Sequence, residues 1–161
     1  MIEAQQFHIT DISNICITGI AVIERQSFQT PWSLDACTAE LSITGGGGYA
    51  ALYGEDKTAI GYIFFRIVLD EMHIMKIATT HSWRHQGVAS TLLAKAINLA
   101  RRKWLKRICL EVRASNIAAI NLYNKYEFEQ SGIRPGYYDN REDAVLMTKN
   151  FEEGVLTWQR Q

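Results

Sequence analysis

Between residues 72 and 103 the chain changes its hydrophobic period, and that change fixes most of what it can become. Met72 to Ala78 is apolar on both alternating faces apart from His73 and Lys76, the pattern of a strand covered on both sides at the centre of a sheet. From Gln86 to Lys103 the period turns helical: Val88, Leu92, Ala96, Leu99 and Ala100 share one stripe, while Lys95, Arg101 and Arg102 tend outward. Between them lies Arg84-His85-Gln86-Gly87-Val88-Ala89. Gly87 has no Cβ and Ala89 is nearly as small, so backbone amides there can approach a ligand closely.

The flanking segments extend this into a mixed pattern. Phe7 to Ile9 leads into Thr10-Asp11, which reads as the cap of a helix through Ile15, Ile20, Ile23 and Phe28. Thr30-Pro31-Trp32 ends it, and Ser33 caps a second helix, Leu34 to Ile43, with Asp35 in its first turn. Gly45 to Gly48 reads as a flexible connection closing that helix. Strands Tyr49 to Tyr53 and Ala59 to Val68 follow, about the polar turn Gly54-Glu55-Asp56-Lys57. Arg107 to Arg113 alternates, with Ile108, Leu110 and Val112 on one face and Cys109 and Glu111 on the other. Asn116 to Tyr126 is helical, Gly132 to Asp143 reads as a long loop around Pro135-Gly136, and Ala144 to Met147 as a last strand. The order is the α/β or α+β signature of a three-layer sandwich. A chain of 161 residues favours one domain, here 1–150, with 151–161 as a C-terminal tail.

Composition narrows the function classes. Lys plus Arg is 17 and Asp plus Glu is 17, so the formal net charge is zero and the electrostatic case for binding nucleic acid fails. The start has no basic segment leading into an apolar one, and no apolar run approaches the ~20 residues needed to cross a bilayer. Cys16, Cys37 and Cys109 are odd in number and widely spaced, which suits a reducing compartment; a cytoplasmic protein is expected. None of the three has an evident neighbouring base. His81 and His85 precede the helix proper and lack a third ligand at sensible spacing, so no metal is expected. Arg101-Arg102-Lys103 with Lys106-Arg107 reads as cations at a helix C-terminus.

Two constellations carry chemistry. The helix N-terminus at Gly87 offers unpaired N–H groups and a positive dipole end, which favour phosphate, and Arg84 adds a permanent charge. The run is neither GxGxxG nor a Walker loop, which disfavours dinucleotides and nucleoside triphosphates; taken alone, the glycine also suits a plain turn. Glu111 and Tyr123, twelve residues apart on a strand and the following helix, can be brought to one cleft by strand–turn–helix geometry. By residue type alone, Glu111 equally suits a strand pair with Arg113 or Lys125, and Tyr123 a core-edge aromatic.

Arg84-x-x-Gly87-x-Ala89 resembles the pyrophosphate-binding signature of the GNAT superfamily of acetyl-CoA-dependent N-acetyltransferases, and the resemblance runs from about Phe7 to Met147. Leu110-Glu111-Val112-Arg113-Ala114-Ser115-Asn116, followed by Ala119, Leu122 and Tyr123, is similar to the bacterial ribosomal-protein-alanine acetyltransferase branch. Phe28-x-x-Pro31-Trp32-Ser33 and Tyr137-Tyr138 with Glu142-Asp143-Ala144 resemble the same branch. The resemblance implies a mixed, mostly antiparallel sheet with helices on both faces, whose central strand splays from the next after Ile77-Ala78-Thr79. It implies acetyl-CoA as cosubstrate, held by Ile77, Ala78, Thr79, Arg84, His85, Gln86, Gly87, Val88, Ala89, Ser90 and Asn116, the last also an N-cap by residue type. Glu111 is implied as general base through water, and Tyr123 as general acid toward the CoA sulfur.

The acceptor implied is the N-terminal alanine of a ribosomal protein, with Trp32 and Tyr138 lining its groove. Direct transfer is expected because no covalent nucleophile is apparent. Lysine or small-molecule amines as acceptors, or a non-catalytic CoA-binding module, are the alternatives. Neither nucleic acid nor membrane is expected as a partner, and the expected state is a monomer or weak dimer. Glu127 stands where the family commonly has Gly, which predicts a positive φ and strain of about 1 kcal/mol.

Overall fold

The computed structural model describes residues 6–139 and 141–151. The apolar alternations build one seven-stranded sheet from β1 (Phe7–Asp11), β2 (Gly46–Tyr53), β3 (Thr58–Val68), β4 (Glu71–Thr79), β5 (Arg107–Arg113), β6 (Glu129–Tyr138) and β7 (Glu142–Asn150). Its order is β1-β2-β3-β4-β5-β7-β6. Neighbours are antiparallel except β4 and β5, which run parallel because helix α3 (Val88–Arg102) carries the chain back between them. Helices α1 (Asn14–Ser27) and α2 (Leu34–Ser42) precede β2, and α4 (Ile117–Lys125) follows β5. This is the mostly antiparallel, helix-flanked sheet that the sequence resemblance implied.

Each face of the sheet has its own core. On one, the α3 stripe of Val88, Leu92, Leu93, Ala96, Ile97 and Ala100 packs with Ile74, Ile108, Leu110 and Val112 and with Tyr123 of α4. On the other, Ile17, Ile20 and Ile23 of α1 and Cys37 of α2 pack with Ala50, Leu52, Tyr62 and Phe64. Truncating a fully buried member such as Leu92 to Ala costs about 2–5 kcal/mol. α3 lies close to β3 at Gly61, where a Cβ would stand 2.7 Å from Val88 Cγ1.

Four expectations are corrected. Thr10 and Asp11 are not a helix cap but the end of β1, paired with Ala50 and Tyr49; Ser13 caps α1, its N–H donating to Cys16 Sγ at 3.3 Å. Gly46 to Gly48 are not a flexible connection but the first residues of β2, and they are glycine for want of room. A Cβ on Gly46 would lie 2.2 Å from the Glu40 carbonyl oxygen, and one on Gly48 2.5 Å from that of Ile63. The long loop from Gly132 is the second half of β6, an edge strand exposed on both faces, so it lacks apolar alternation. The last strand, β7, is longer than Ala144 to Met147 and runs to Asn150. Ser33, by contrast, caps α2 as expected, its Oγ accepting from Ala36 N–H at 3.1 Å.

Of the expected tail, 152–161 lie outside the described residues. Phe151 packs against the α3 core, donates its N–H to the Lys106 carbonyl at 2.8 Å, and lies beneath Arg101.

Candidate active site

β4 and β5 pair only from Glu71 with Arg107 to Ile74 with Leu110. Beyond that, β4 continues to Thr79 and β5 to Arg113 without pairing to each other, while each keeps its outer partner, β3 or β7. The two central strands therefore part, and the β4 edge over Met75–Thr79 faces the opening with its ladder groups toward β5 unused. Thr79 Oγ1 is a buried hydroxyl with no hydrogen-bond partner among the described residues. An open strand edge with an orphaned hydroxyl suits an amide-bearing, extended ligand.

The opening leads to the start of α3. Gly87 is its N-cap at φ 82°, with no side-chain cap, so the first-turn N–H groups keep their free donors. A Cβ at Gly87 would meet nothing within 4 Å, so open space stands in front of the turn. His85 shares the left-handed conformation at φ 59°, and Gln86 Nε2 donates to the Ser82 carbonyl at 2.8 Å, which folds the loop back on itself. Arg84, His85 and Gln86 are exposed, whereas Val88 is buried as the first core residue of the helix. The Ser90 carbonyl accepts from the Tyr126 hydroxyl at 3.1 Å, tying α4 to α3. Asn116 caps α4, its Oδ1 accepting from Ala119 N–H at 3.1 Å. These donors and this concavity fit a diphosphate with an extended arm.

Glu111 lies on β5 just past the last β4–β5 pair. Its carboxylate is neither with Arg113 nor with Lys125. Arg134 Nη2 lies 3.2 Å from it, and the carboxylate's negative charge, then a hydrogen bond with the Tyr137 hydroxyl, raises the Tyr137 phenol above its ordinary value. Tyr123 is buried in α4, its ring 5.8 Å from that of Phe128. Burial, then the neighbouring Tyr138, pushes its hydroxyl well above the usual phenol range. Tyr138 is itself raised by burial first and by Glu111 next. Tyr138 therefore lies within electrostatic reach of Glu111 on one side and Tyr123 on the other.

An open cavity of about 480 Å³ adjoins this cluster, lined by Gln29, Arg113, Tyr138, Asp139, Arg141 and Glu142. Its β-side wall is firmly braced. Arg113 lies 4.2 Å from the Tyr138 ring and reaches Glu142 at 3.0 Å. Glu142 accepts the Ser115 N–H at 2.9 Å, and the Ser115 hydroxyl and N–H, then Arg113, hold its carboxyl below the usual range. Tyr138 lines this cavity. Trp32, half-buried, packs 5.7 Å from the Phe64 ring, and Gln29, three residues before it, lines the cavity.

Arg134, Tyr137 and Gln29 were not singled out from sequence as site residues. Tyr137 stood in a quoted motif, which was the one available signal; the other two depend on contacts distant in sequence. His81 opens a short 3-10 turn (His81–Trp83), and no group of three or more His, Cys, Asp or Glu among the described residues is placed to hold a metal. Burial pushes the Cys37 thiol up to about 11, and the Cys109 thiol upward too, so both remain protonated at neutral pH.

The Acetyltransferase (GNAT) family model matches residues 17–128. A relative from Bacillus subtilis (strain 168), itself named only provisionally as a [ribosomal protein bS18]-alanine N-acetyltransferase, is 37% identical over 138 residues, covering 85% of this chain and 91% of that one. The [ribosomal protein bS18]-alanine N-acetyltransferase of Escherichia coli (strain K12) is 40% identical over 85 residues, 51% of this chain and 57% of that one. A crystal structure of the Escherichia coli enzyme superposes with a TM-score of 0.84 at 26% identity, covering 94% of this chain and 98% of that one. Arabidopsis thaliana NAA60 in complex with acetyl-CoA shares the fold, with a TM-score of 0.82 at 17% identity over 90% of this chain and 98% of that one.

Proposed function

The chain belongs to the GNAT acetyltransferase family, and we propose that it transfers the acetyl group of acetyl-CoA directly to the N-terminal α-amine of a protein, the alanine of a small-subunit ribosomal protein. The observation that carries this reading is the seam where β4 leaves β5, with Glu111 on β5 just past the last β4–β5 pair and Tyr123 buried on α4, the helix that follows β5. A donor thioester lying along the free β4 edge, its diphosphate at the Gly87 turn, brings its carbonyl between these two side chains.

Each group then has a stated task. An α-ammonium near pKa ~8 is already partly neutral at pH 7, so one carboxylate suffices to take its proton, whereas a lysine near ~10.4 is over two units harder. Glu111 accepts that proton through water. The new N–C bond forms as the C–S bond breaks, and Tyr123 gives its proton to the departing thiolate. Because burial keeps Tyr123 protonated, the acid is fully loaded at working pH, and it recovers its proton from solvent or from the carboxylic acid of Glu111. Backbone N–H groups of Ile77 to Thr79 polarise the acetyl carbonyl. In this reading residues 1–150 form the catalytic domain of a cytoplasmic protein acting as monomer or weak dimer.

Intact-mass analysis of candidate ribosomal proteins, incubated with the enzyme and labelled acetyl-CoA, tests the proposal. One acetyl group on an N-terminal alanine is expected. Labelling confined to lysines or polyamines overturns the acceptor assignment. Tight acetyl-CoA binding with no CoA released against any amine overturns catalysis and leaves a CoA-binding module.

A further inference from the structure

A buried charge pair lies beneath the connection between α1 and α2. Glu24 of α1 is 0% exposed, and its Oε2 accepts from Lys76 Nζ of β4 at 2.6 Å and from the Trp32 N–H at 2.7 Å. Its Oε1 takes a short hydrogen bond from the Tyr62 hydroxyl of β3. The Lys76 ammonium in turn stands 4.1 Å from the centre of the Phe28 ring and 4.9 Å from that of Trp32. One ion pair therefore ties four parts of the fold together, and both rings it holds belong to the α1–α2 connection.

Buried ion pairs contribute little net stability compared with well-packed apolar side chains of the same size, so stability alone does not account for this one. What such a pair does supply is position, because both partners demand fixed geometry. The segment it fixes is neither helix nor strand, and Gln29, one residue after Phe28, walls the open cavity opposite Tyr138 and Arg113.

We propose that the Glu24–Lys76 pair positions the acceptor peptide, by holding the α1–α2 connection against β4 so that Gln29 closes the groove along which residues beyond the acetylated one lie. The inference rests on the proposed acetyl transfer to a protein N-terminus, and it assigns the pair no contact with the reacting atoms. Lys76 belongs to the β4 edge that borders the seam, but its side chain is turned to Glu24, Phe28 and Trp32, whereas the donor would meet that edge through backbone groups and the Gly87 turn, so donor binding does not use the pair. A small amine ends before it reaches Gln29, and so is blind to the pair.

The test compares wild type, Lys76→Met, Lys76→Arg and the charge-neutral double variant Glu24→Gln with Lys76→Met, on an alanine-starting hexapeptide and on alaninamide. Lys76→Met and the double variant are expected to raise KM for the hexapeptide tenfold or more. In both, the alaninamide KM and the acetyl-CoA Kd by calorimetry stay within twofold of wild type. Lys76→Arg, which keeps the charge and the stacking, recovers most of the hexapeptide KM. A hexapeptide KM that moves less than threefold in the double variant overturns the inference, as does an equal loss for alaninamide and acetyl-CoA. Should Lys76→Met alone fail to fold, the double variant decides, since it leaves no unpaired buried charge. Absence of transfer by wild type itself overturns the proposed function and this inference with it, whereas wild-type transfer with an unmoved variant KM overturns only this inference.

Discussion

The Glu111 carboxylate lies 3.2 Å from the guanidinium of Arg134, a residue two strands away on the sheet edge. Arg134 and Tyr137, both on β6, thus hold the Glu111 carboxylate from across β7. Glu111→Gln keeps the shape and removes the proton acceptor, so kcat/KM is expected to fall by about 10²–10³ with acetyl-CoA Kd unchanged. Arg134→Gln keeps the acceptor and loosens its aim, a smaller loss of roughly tenfold in kcat. Steady-state kinetics with an alanine-starting peptide separate the two, and equal effects would count against the assignment of Glu111 as base.

Tyr123 sets the alkaline behaviour. Its hydroxyl is held above its ordinary value near 10 by burial and by Tyr138, so it stays protonated through pH 9.5. The acceptor amine loses its proton near pH ~8, so kcat/KM should rise through that range and then stay level to pH 9.5, with no alkaline fall. Tyr123→Phe lowers kcat by about 10²-fold at every pH while leaving acetyl-CoA affinity near wild type. The same shift has a stability sign. The folded state holds this proton more tightly than the unfolded chain, so the stabilisation is intact below pH ~10 and is lost as pH rises above it. A descending limb near pH 9 in the wild-type rate profile, absent in Tyr123→Phe, would place the titration elsewhere than argued.

Legibility followed burial. α3 and β5 could be read directly because each buries one face, and the stripe from Val88 to Ala100 and the row Ile108, Leu110, Val112 record which face. β6 could not, since both its faces meet solvent and Pro135 interrupts its donors, leaving no alternation to find. Gly46 to Gly48 misled for the opposite reason: composition alone does not separate a glycine needed for freedom from one needed for closeness. At the site, motif residues on β5 and α4 were visible along the chain. Arg134 reaches Glu111 only through a sheet order in which β7 intervenes and β6 carries a register shift between Arg134 and Tyr138. Gln29 lines the cavity from a segment whose nearby anchors, Glu24 and Lys76, lie on α1 and β4, far apart in sequence.

Glu127 has the positive φ its position predicted, 63°, and its carboxylate meets the buried Lys149 ammonium at 2.7 Å. Backbone relief and the loss of that partner oppose each other in Glu127→Gly. Lys149 is 5% exposed, so an ammonium left without its carboxylate outweighs the relaxed backbone, and Tm should fall by roughly 3 °C. Adding Lys149→Met removes the stranded charge, and the double variant should melt above Glu127→Gly alone. The pairing also draws the Glu127 carboxyl below its usual range. Its contribution is therefore present above pH ~4.5 and is lost as pH falls through the lowered value. Calorimetric melting at pH 7 and pH 3 checks both statements; a Glu127→Gly protein that melts higher than wild type at pH 7 would show that strain dominates.

Gly87 separates a turn residue from a ligand-binding one. At φ 82° an alanine is strained by about 1–2 kcal/mol, which predicts a Tm lower by roughly 2–8 °C. The added methyl meets no protein atom within 4 Å, so the fold gives no further reason for loss. It projects instead into the space before the first-turn N–H groups of α3, where the diphosphate of the donor is proposed to sit. Gly87→Ala should therefore weaken acetyl-CoA tenfold or more by calorimetry, while the peptide KM at saturating donor stays near wild type. If Tm falls as expected and acetyl-CoA still binds as in wild type, Gly87 only makes the turn, and the diphosphate must be held elsewhere along the seam.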